Sequence, residues 1–230
     1  MDFSVVLESW QFYALGLWNT VWMVAVSLLV GLVLAIPVGI MRASRNPLIN
    51  APAWLYTYCF TGTPLLIQLF LIYYGLGQFS AVRASPFWFL LREAWFCALL
   101  TFVLNTAAYT AEILRGAIQT MPRGEIEAAR ACGMSPGLMM RRIILPSAFR
   151  RALPAYGNEI VFMLHGSSIV SIVTVLDLTG AARLVQSRYY APFEAFITAG
   201  ACYLALTWLI TLAMRRLERS WFAHLRPRTG

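Results

Sequence analysis

The chain reads as an all-α polytopic membrane protein with five spanning helices and one polar hairpin between the third and fourth. Three observations predict this. Hydrophobic residues make up 60% and charged residues only 12% of the 230 residues, too little polar surface for a soluble globule. The apolar residues collect at about 20–40, 54–76, 95–114, 155–176 and 193–214, each stretch near the length that ~30 Å of hydrocarbon requires. The charges gather between them, most densely over 122–153. A single membrane domain over 1–230 accommodates all three.

Met1 to Trp18 is weakly amphipathic and carries Asp2 and Glu8, with no basic residue before Arg42. A cleaved secretory signal needs a positive start, so none is expected. The first span, 20–40, holds Pro37 near its end and should kink there. The second, 54–76, is interrupted by Gly62-Thr63-Pro64 and carries Gln68. A glycine and a proline this close loosen the backbone hydrogen bonding, which lipid tolerates only where protein or a water-filled cavity covers it. Residues 80–93 form a polar, aromatic loop.

The third span places Asn105, Tyr109 and Glu112 on one helical stripe. Intramembrane amides and acids face a bundle interior. Asn105 suits either a neighbouring helix or a transport path, and Glu112 stands one turn before Arg115, close enough to pair with it. In the fourth span, which Pro154 is placed to start, Asn158, Phe162 and His165 share one stripe and Glu159, Met163 and Gly166 the next, with Ser167 and Ser168 farther along. His165 falls roughly 15 Å inside the helix start, near the midplane where transporter sites gather. It suits either a neutral histidine bonded to a facing carbonyl or a substrate contact. A carboxylate such as Glu159 needs a cation, a proton or an arginine as partner. Asp177 to Tyr190 reads as an exposed loop, with Asp177 capping a short helix over 178–186. The fifth span ends on Arg215, Arg216 and Arg219.

Between spans three and four, Pro122 to Pro154 punctuates as two short helices. Glu125 to Cys132 forms about two turns with acids at the positive end of the helix dipole, and Gly133 suits a left-handed C-terminal cap. Ser135 then reads as an N-cap and Pro136 as the first residue of a helix running to about Leu145. Ala128, Ala129 and Cys132 make a small-residue face on which another backbone can dock. An amphipathic hairpin lying on the headgroups is the other reading these residues allow.

The spelling Glu127-Ala128-Ala129, then Gly133, then Ile143-x-Leu145-Pro146 resembles the EAA coupling loop of ATP-binding-cassette (ABC) importer permeases. Gly62-Thr63-Pro64-Leu65-Leu66-x-Gln68 resembles the second-helix signature of polar amino acid permeases, with Thr61 where that family often has arginine. Gly157-Asn158 and the polar cluster at 165–168 resemble its fourth helix, with His165 where lysine is common. The likeness runs over nearly the whole chain and is greatest to M-type subunits of histidine, arginine and ornithine permeases, with octopine and nopaline permeases as near relatives.

The resemblance implies the type I ABC importer transmembrane fold. It also implies a Q-type permease partner forming a heterodimer, two ATPase subunits docked on the coupling loop, and a periplasmic substrate-binding protein. ATP and magnesium would belong to the ATPase. The chain contains no lysine among its 18 basic residues, so the Gly-Lys-Ser/Thr of a nucleotide-binding loop is absent here.

The cysteines 59, 97, 132 and 202 have neither zinc nor disulfide spacing. No metal, nucleic acid or catalytic constellation is expected, which sets aside a membrane enzyme. An ion-coupled carrier would instead use Glu112, Glu159 and His165 as a proton relay. With the N-terminus periplasmic and the C-terminus cytoplasmic, 14 of the 18 arginines fall inside, as the positive-inside rule favours for a bacterial inner-membrane protein. The expected cargo is a cationic amino acid, its charge offset by Glu159, or alternatively an opine.

Overall fold

The computed structural model describes residues 3–221, and among them helices alternate with short turns and no strand occurs. A short α1 (Ser4–Glu8) leads into α2 (Trp10–Ala43), which starts ten residues before the expected first span. Pro37 lies inside it. Next come α3 (Pro47–Gly62) and α4 (Leu65–Phe70), followed by a wide π turn over Leu71–Gly75 and a 3₁₀ turn over Leu76–Gln78. The segments before and after Gly62-Thr63-Pro64 meet at 107°. The expected span 54–76 is therefore two helices joined by a corner. Thr63 and Pro64 both take extended backbone, with ψ of 145° and 138°, because the proline ring excludes the helical region for the residue before it.

Two four-residue turns, α5 (Ser80–Arg83) and α6 (Trp88–Leu91), precede α7 (Ala94–Gln119). The polar hairpin holds α8 (Arg123–Ala131) and α9 (Pro136–Met139). A π turn over Met140–Ile144 then runs straight into α10 (Leu145–Gly166). The expected helix end at Leu145 and helix start at Pro154 are both overturned. Pro146, which has no amide donor, falls in the first turn of α10 just after the π turn, and Pro154 lies inside α10. An interior proline costs ~3 kcal/mol, offset here by the buried packing of Ala148, Ala152 and Leu153 in the turns that precede it.

After α10 the chain tightens into a 3₁₀ stretch over Ser167–Val173, and α11 (Leu178–Tyr189) and α12 (Pro192–Trp221) complete the bundle. Asp177 caps α11 as expected, accepting from the Gly180 amide at 2.7 Å. The segment is not the exposed loop expected, since Leu178, Ala181, Ala182 and Val185 are all fully buried. Their small side chains let α11 lie flat against α2 and α12.

Lipid tails are as apolar as leucine, so close packing must hold these helices together rather than the hydrophobic effect. On α2, Gly31, Ala35 and Gly39 form a stripe of small residues four apart. A Cβ added at Gly31 would collide with Thr106, and one at Gly39 would lie 3.0 Å from the Leu114 Cβ. That absence of side chain brings α2 and α7 together along most of their length. Met23, Leu28, Leu69, Phe102 and Leu164 fill the adjoining core. Outside, Trp18, Leu29, Val33, Leu204 and Trp208 are exposed, as lipid-facing residues should be. Three helices, α2, α7 and α12, are long and apolar enough to cross a bilayer alone, and the two bent segments bring the number to five if each counts as one span.

Candidate functional site

The corner at Pro64 frees backbone carbonyls that lipid could not satisfy. Gln68 supplies the answer from one turn into α4, its Nε2 reaching the Phe60 carbonyl at 2.8 Å, the Thr63 carbonyl at 3.0 Å and the Thr63 hydroxyl at 2.8 Å. From α7, the Asn105 amide donates to Gln68 Oε1 at 2.9 Å and approaches the Phe60 carbonyl at 3.5 Å. One turn along, the Tyr109 hydroxyl donates to the Thr61 carbonyl at 3.3 Å. Two of the three residues expected on one stripe of the third span, Asn105 and Tyr109, thus brace the broken helix.

Beside this brace lies a cavity of about 400 Å³, within the roughly 300–1,000 Å³ range of small-molecule sites. Thr63, Pro64 and Leu65 form one wall, Asn105 and Tyr109 a second, and Glu159, Phe162, Met163 and Gly166 of α10 a third. Glu159 is 5% exposed, and no basic side chain of the described residues pairs with it. The α10 wall thus carries one buried carboxylate, a wall apart from the corner at Thr63 and Pro64. The cavity therefore favours a positive charge.

Three of the eight residues singled out on the spans line this cavity. Glu112 does not: its two oxygens accept from Arg42 Nε and Arg115 Nε, each at 2.6 Å. The expected pairing with Arg115 is present, and Arg42 joins it. Asn158 is exposed on α10. His165 faces the Thr207 hydroxyl at 3.1 Å rather than a carbonyl. Ser167 and Ser168 donate back to the carbonyls of Leu164 and His165. Glu112, Glu159 and His165 are thus not assembled into a relay. Gln68, Phe162 and Gly166 were not read as site residues. The proline break beside Gln68 was the signal for the first, while the other two are recognisable only from the packing.

The caps of the polar hairpin lie where its punctuation foretold. Gly133 has φ of +72°, the left-handed cap that favours glycine, and Ser135 Oγ accepts from the Leu138 amide. The shared small-residue face does not hold together, because Ala129 packs inward with Met121, Met139 and Ile144. Ile143 packs against the same cluster, and Leu145 is half-buried. Glu127, Ala128, Cys132, Gly133 and Pro146 remain exposed. The motif therefore divides into residues that close the hairpin and residues that face out of it.

Residues 31–222 match the family described as the binding-protein-dependent transport system inner membrane component. The chain belongs to this family. As an inner-membrane component of this kind it is 44% identical to the nopaline transport system permease protein of Agrobacterium fabrum, over 100% of this chain and 96% of that one. It is 44% identical to the histidine/lysine/arginine/ornithine transport system permease protein of Escherichia coli K12, over 92% and 90%. A solved amino acid ABC transporter with histidines superposes with a TM-score of 0.85 at 33% identity, covering 96% of this chain and 99% of that one. The MetNI methionine ABC transporter, in an inward-facing conformation, matches at TM-score 0.76 and 21% identity, covering 92% and 96%. That last likeness speaks for the fold alone: the all-α type I importer transmembrane domain.

Proposed function

We propose that this inner-membrane component is the M-type permease subunit of an ABC importer carrying a cationic amino acid into the cytoplasm. The observation that carries the reading is Glu159, buried in the wall of a membrane cavity with no basic residue of the described chain to neutralise it. A carboxylate so placed gains most from a substrate that brings its own positive charge. The similarity to a histidine/lysine/arginine/ornithine permease supports the same class. An opine is the second reading, favoured by 44% identity to the nopaline protein and 47% identity to an octopine permease of Rhizobium meliloti.

In this scheme α8 and the exposed Glu127, Ala128 and Gly133 dock a separate ATPase, two copies of which serve this chain and a Q-type permease partner. ATP and its magnesium ion stay on that ATPase. The N-terminus lies in the periplasm and the C-terminus in the cytoplasm, so α5, α6 and the α11–α12 turn face the substrate-binding protein. ATP-driven closure moves the hairpin, and α10 carries that motion to Glu159. Coupling needs the two ATPase states to prefer different hairpin positions by about 1–3 kcal/mol.

An uptake assay tests the substrate class. Glu159→Gln should lower transport of arginine or ornithine by about tenfold, the worth of roughly 1.4 kcal/mol, and spare neutral amino acids. Equal effects on both would overturn the reading.

A further inference from the structure

A second cavity lies away from the one around Glu159. Between α2, α7, α10 and α12 a slot of about 140 Å³ is walled by Leu32, Ile113, Leu114, Ala152, Leu153 and Tyr156. The Tyr156 hydroxyl is turned to the Leu28 carbonyl at 3.3 Å and Thr110 adds a second hydroxyl-bearing residue, so the slot presents carbon over most of its wall. It is smaller than the roughly 300–1,000 Å³ of sites that enclose whole small molecules, and a dry apolar cavity of this kind accepts hydrocarbon. Phe149 and Trp221 stand at its mouth.

The same two side chains also wall a wider, more open cavity of about 630 Å³, together with Pro146, Arg150 and Ser220. An apolar slot thus opens across an aromatic sill into a basic vestibule. Arg150 is exposed there and joins none of the ion pairs among the described residues. Arg216 stands one turn before Ser220 on the same side of α12. The lining changes from carbon to cation at the end of the bundle where the arginines collect.

We propose that the slot and the vestibule form one binding site for an anionic phospholipid. Its phosphate lies beside Arg150 and one acyl chain enters the slot between α2, α7, α10 and α12. Charge complementarity selects this occupant. The segment 222–230, which follows Trp221, carries Arg226 and Arg228 and no Asp or Glu, so it offers Arg150 no acidic side chain. A zwitterionic lipid offers the same chain but no net negative charge. The site is independent of which substrate the importer carries.

The test uses the importer assembled with its partner subunits in nanodiscs, labelled with phosphatidylglycerol carrying a photoactivatable acyl chain. Mass spectrometry should place the label on the 149–156 and 220–221 segments. One arginine near a membrane surface is worth about fivefold in anionic-lipid affinity, so Arg150→Gln should lower labelling by that factor, to the level of a phosphatidylcholine probe. Ala152→Phe, which fills the slot, should remove the label from 149–156. Equal labelling by both lipids, or labelling indifferent to Arg150→Gln, overturns the proposal. Loss of the label in excess inorganic phosphate would make the vestibule a free-phosphate site, and a rise on removal of 222–230 would make that segment the occupant. Either result also overturns it.

Discussion

The Arg42 guanidinium lies 2.6 Å from the Glu112 carboxylate across seventy residues of chain, and the same carboxylate holds Arg115 at 2.6 Å. Arg42 also donates to Asn50 Oδ1 at 2.5 Å and to Thr57 Oγ1 at 3.1 Å. One acid therefore ties the end of α2 and the start of α3 to α7. Glu112→Gln should strand two arginines at once. Glu112 and Arg42 are 26% and 11% exposed, so the loss should be about 2 kcal/mol, below the roughly 3–5 kcal/mol of a fully buried pair. Thermal unfolding of the purified complex would show it. Because Glu112 lies off the cavity, substrate KM should stay unchanged.

The brace at the Pro64 corner predicts an order of effects. Gln68→Leu removes the donor shared by the Phe60 and Thr63 carbonyls and should cost about 1–3 kcal/mol for leaving them unpaired. Asn105→Leu should cost less, because Gln68 still reaches Phe60. Both should raise KM for uptake, since Thr63 and Pro64 wall the cavity. A larger loss for Asn105→Leu than for Gln68→Leu would mean that Asn105 acts on substrate directly.

Gly133→Asp should give a chain that inserts but does not couple. Nothing lies within 4 Å of a Cβ added there, so the hairpin itself has room, and the left-handed backbone adds about 1–2 kcal/mol of strain. The charge would project from the exposed face beside Cys132, where the ATPase is proposed to dock. Substrate-stimulated ATP hydrolysis is the measurement. Normal stimulation would remove this face from the interface.

Local chemistry explains which features were legible. The Ser135 and Asp177 caps and the Gly133 left-handed turn depend only on neighbours in sequence, and each was readable from spelling. The long apolar helices α2, α7 and α12 were legible for a related reason, since span length follows bilayer thickness. Pro154 misled because proline usually starts a helix, whereas burial of Ala148, Ala152 and Leu153 carries α10 through it. Ala129 could not be separated from Ala128 by spacing alone. Which face of a two-turn helix turns inward is decided by Met121 and Met139, and these come from other elements. Glu112 read as a site residue because its second partner, Arg42, is distant in sequence.

Arg151 joins three elements at one guanidinium. Its NH1 donates to the Thr120 carbonyl at 2.8 Å, and its NH2 reaches Glu125 Oε1 at 3.5 Å and Ser147 Oγ at 3.0 Å. Thr120 ends α7, Glu125 belongs to α8, and Arg151 lies two turns before Glu159 on α10. The Glu125 contact is long and exposed, worth at most about 1 kcal/mol. The carbonyl at the end of α7 is a better partner, because a cation there satisfies an orphan acceptor and meets the negative end of the dipole. Arg151→Ala should therefore loosen the hairpin from α10 without unfolding the bundle. The expected result is continued ATP hydrolysis with fewer substrates moved per ATP, measured as the transport-to-hydrolysis ratio in proteoliposomes. Arg151→Lys keeps the charge and should recover part of that ratio, whereas Glu125→Gln should change it little. A ratio unchanged in Arg151→Ala would mean that motion reaches Glu159 through the continuous α9–α10 backbone alone.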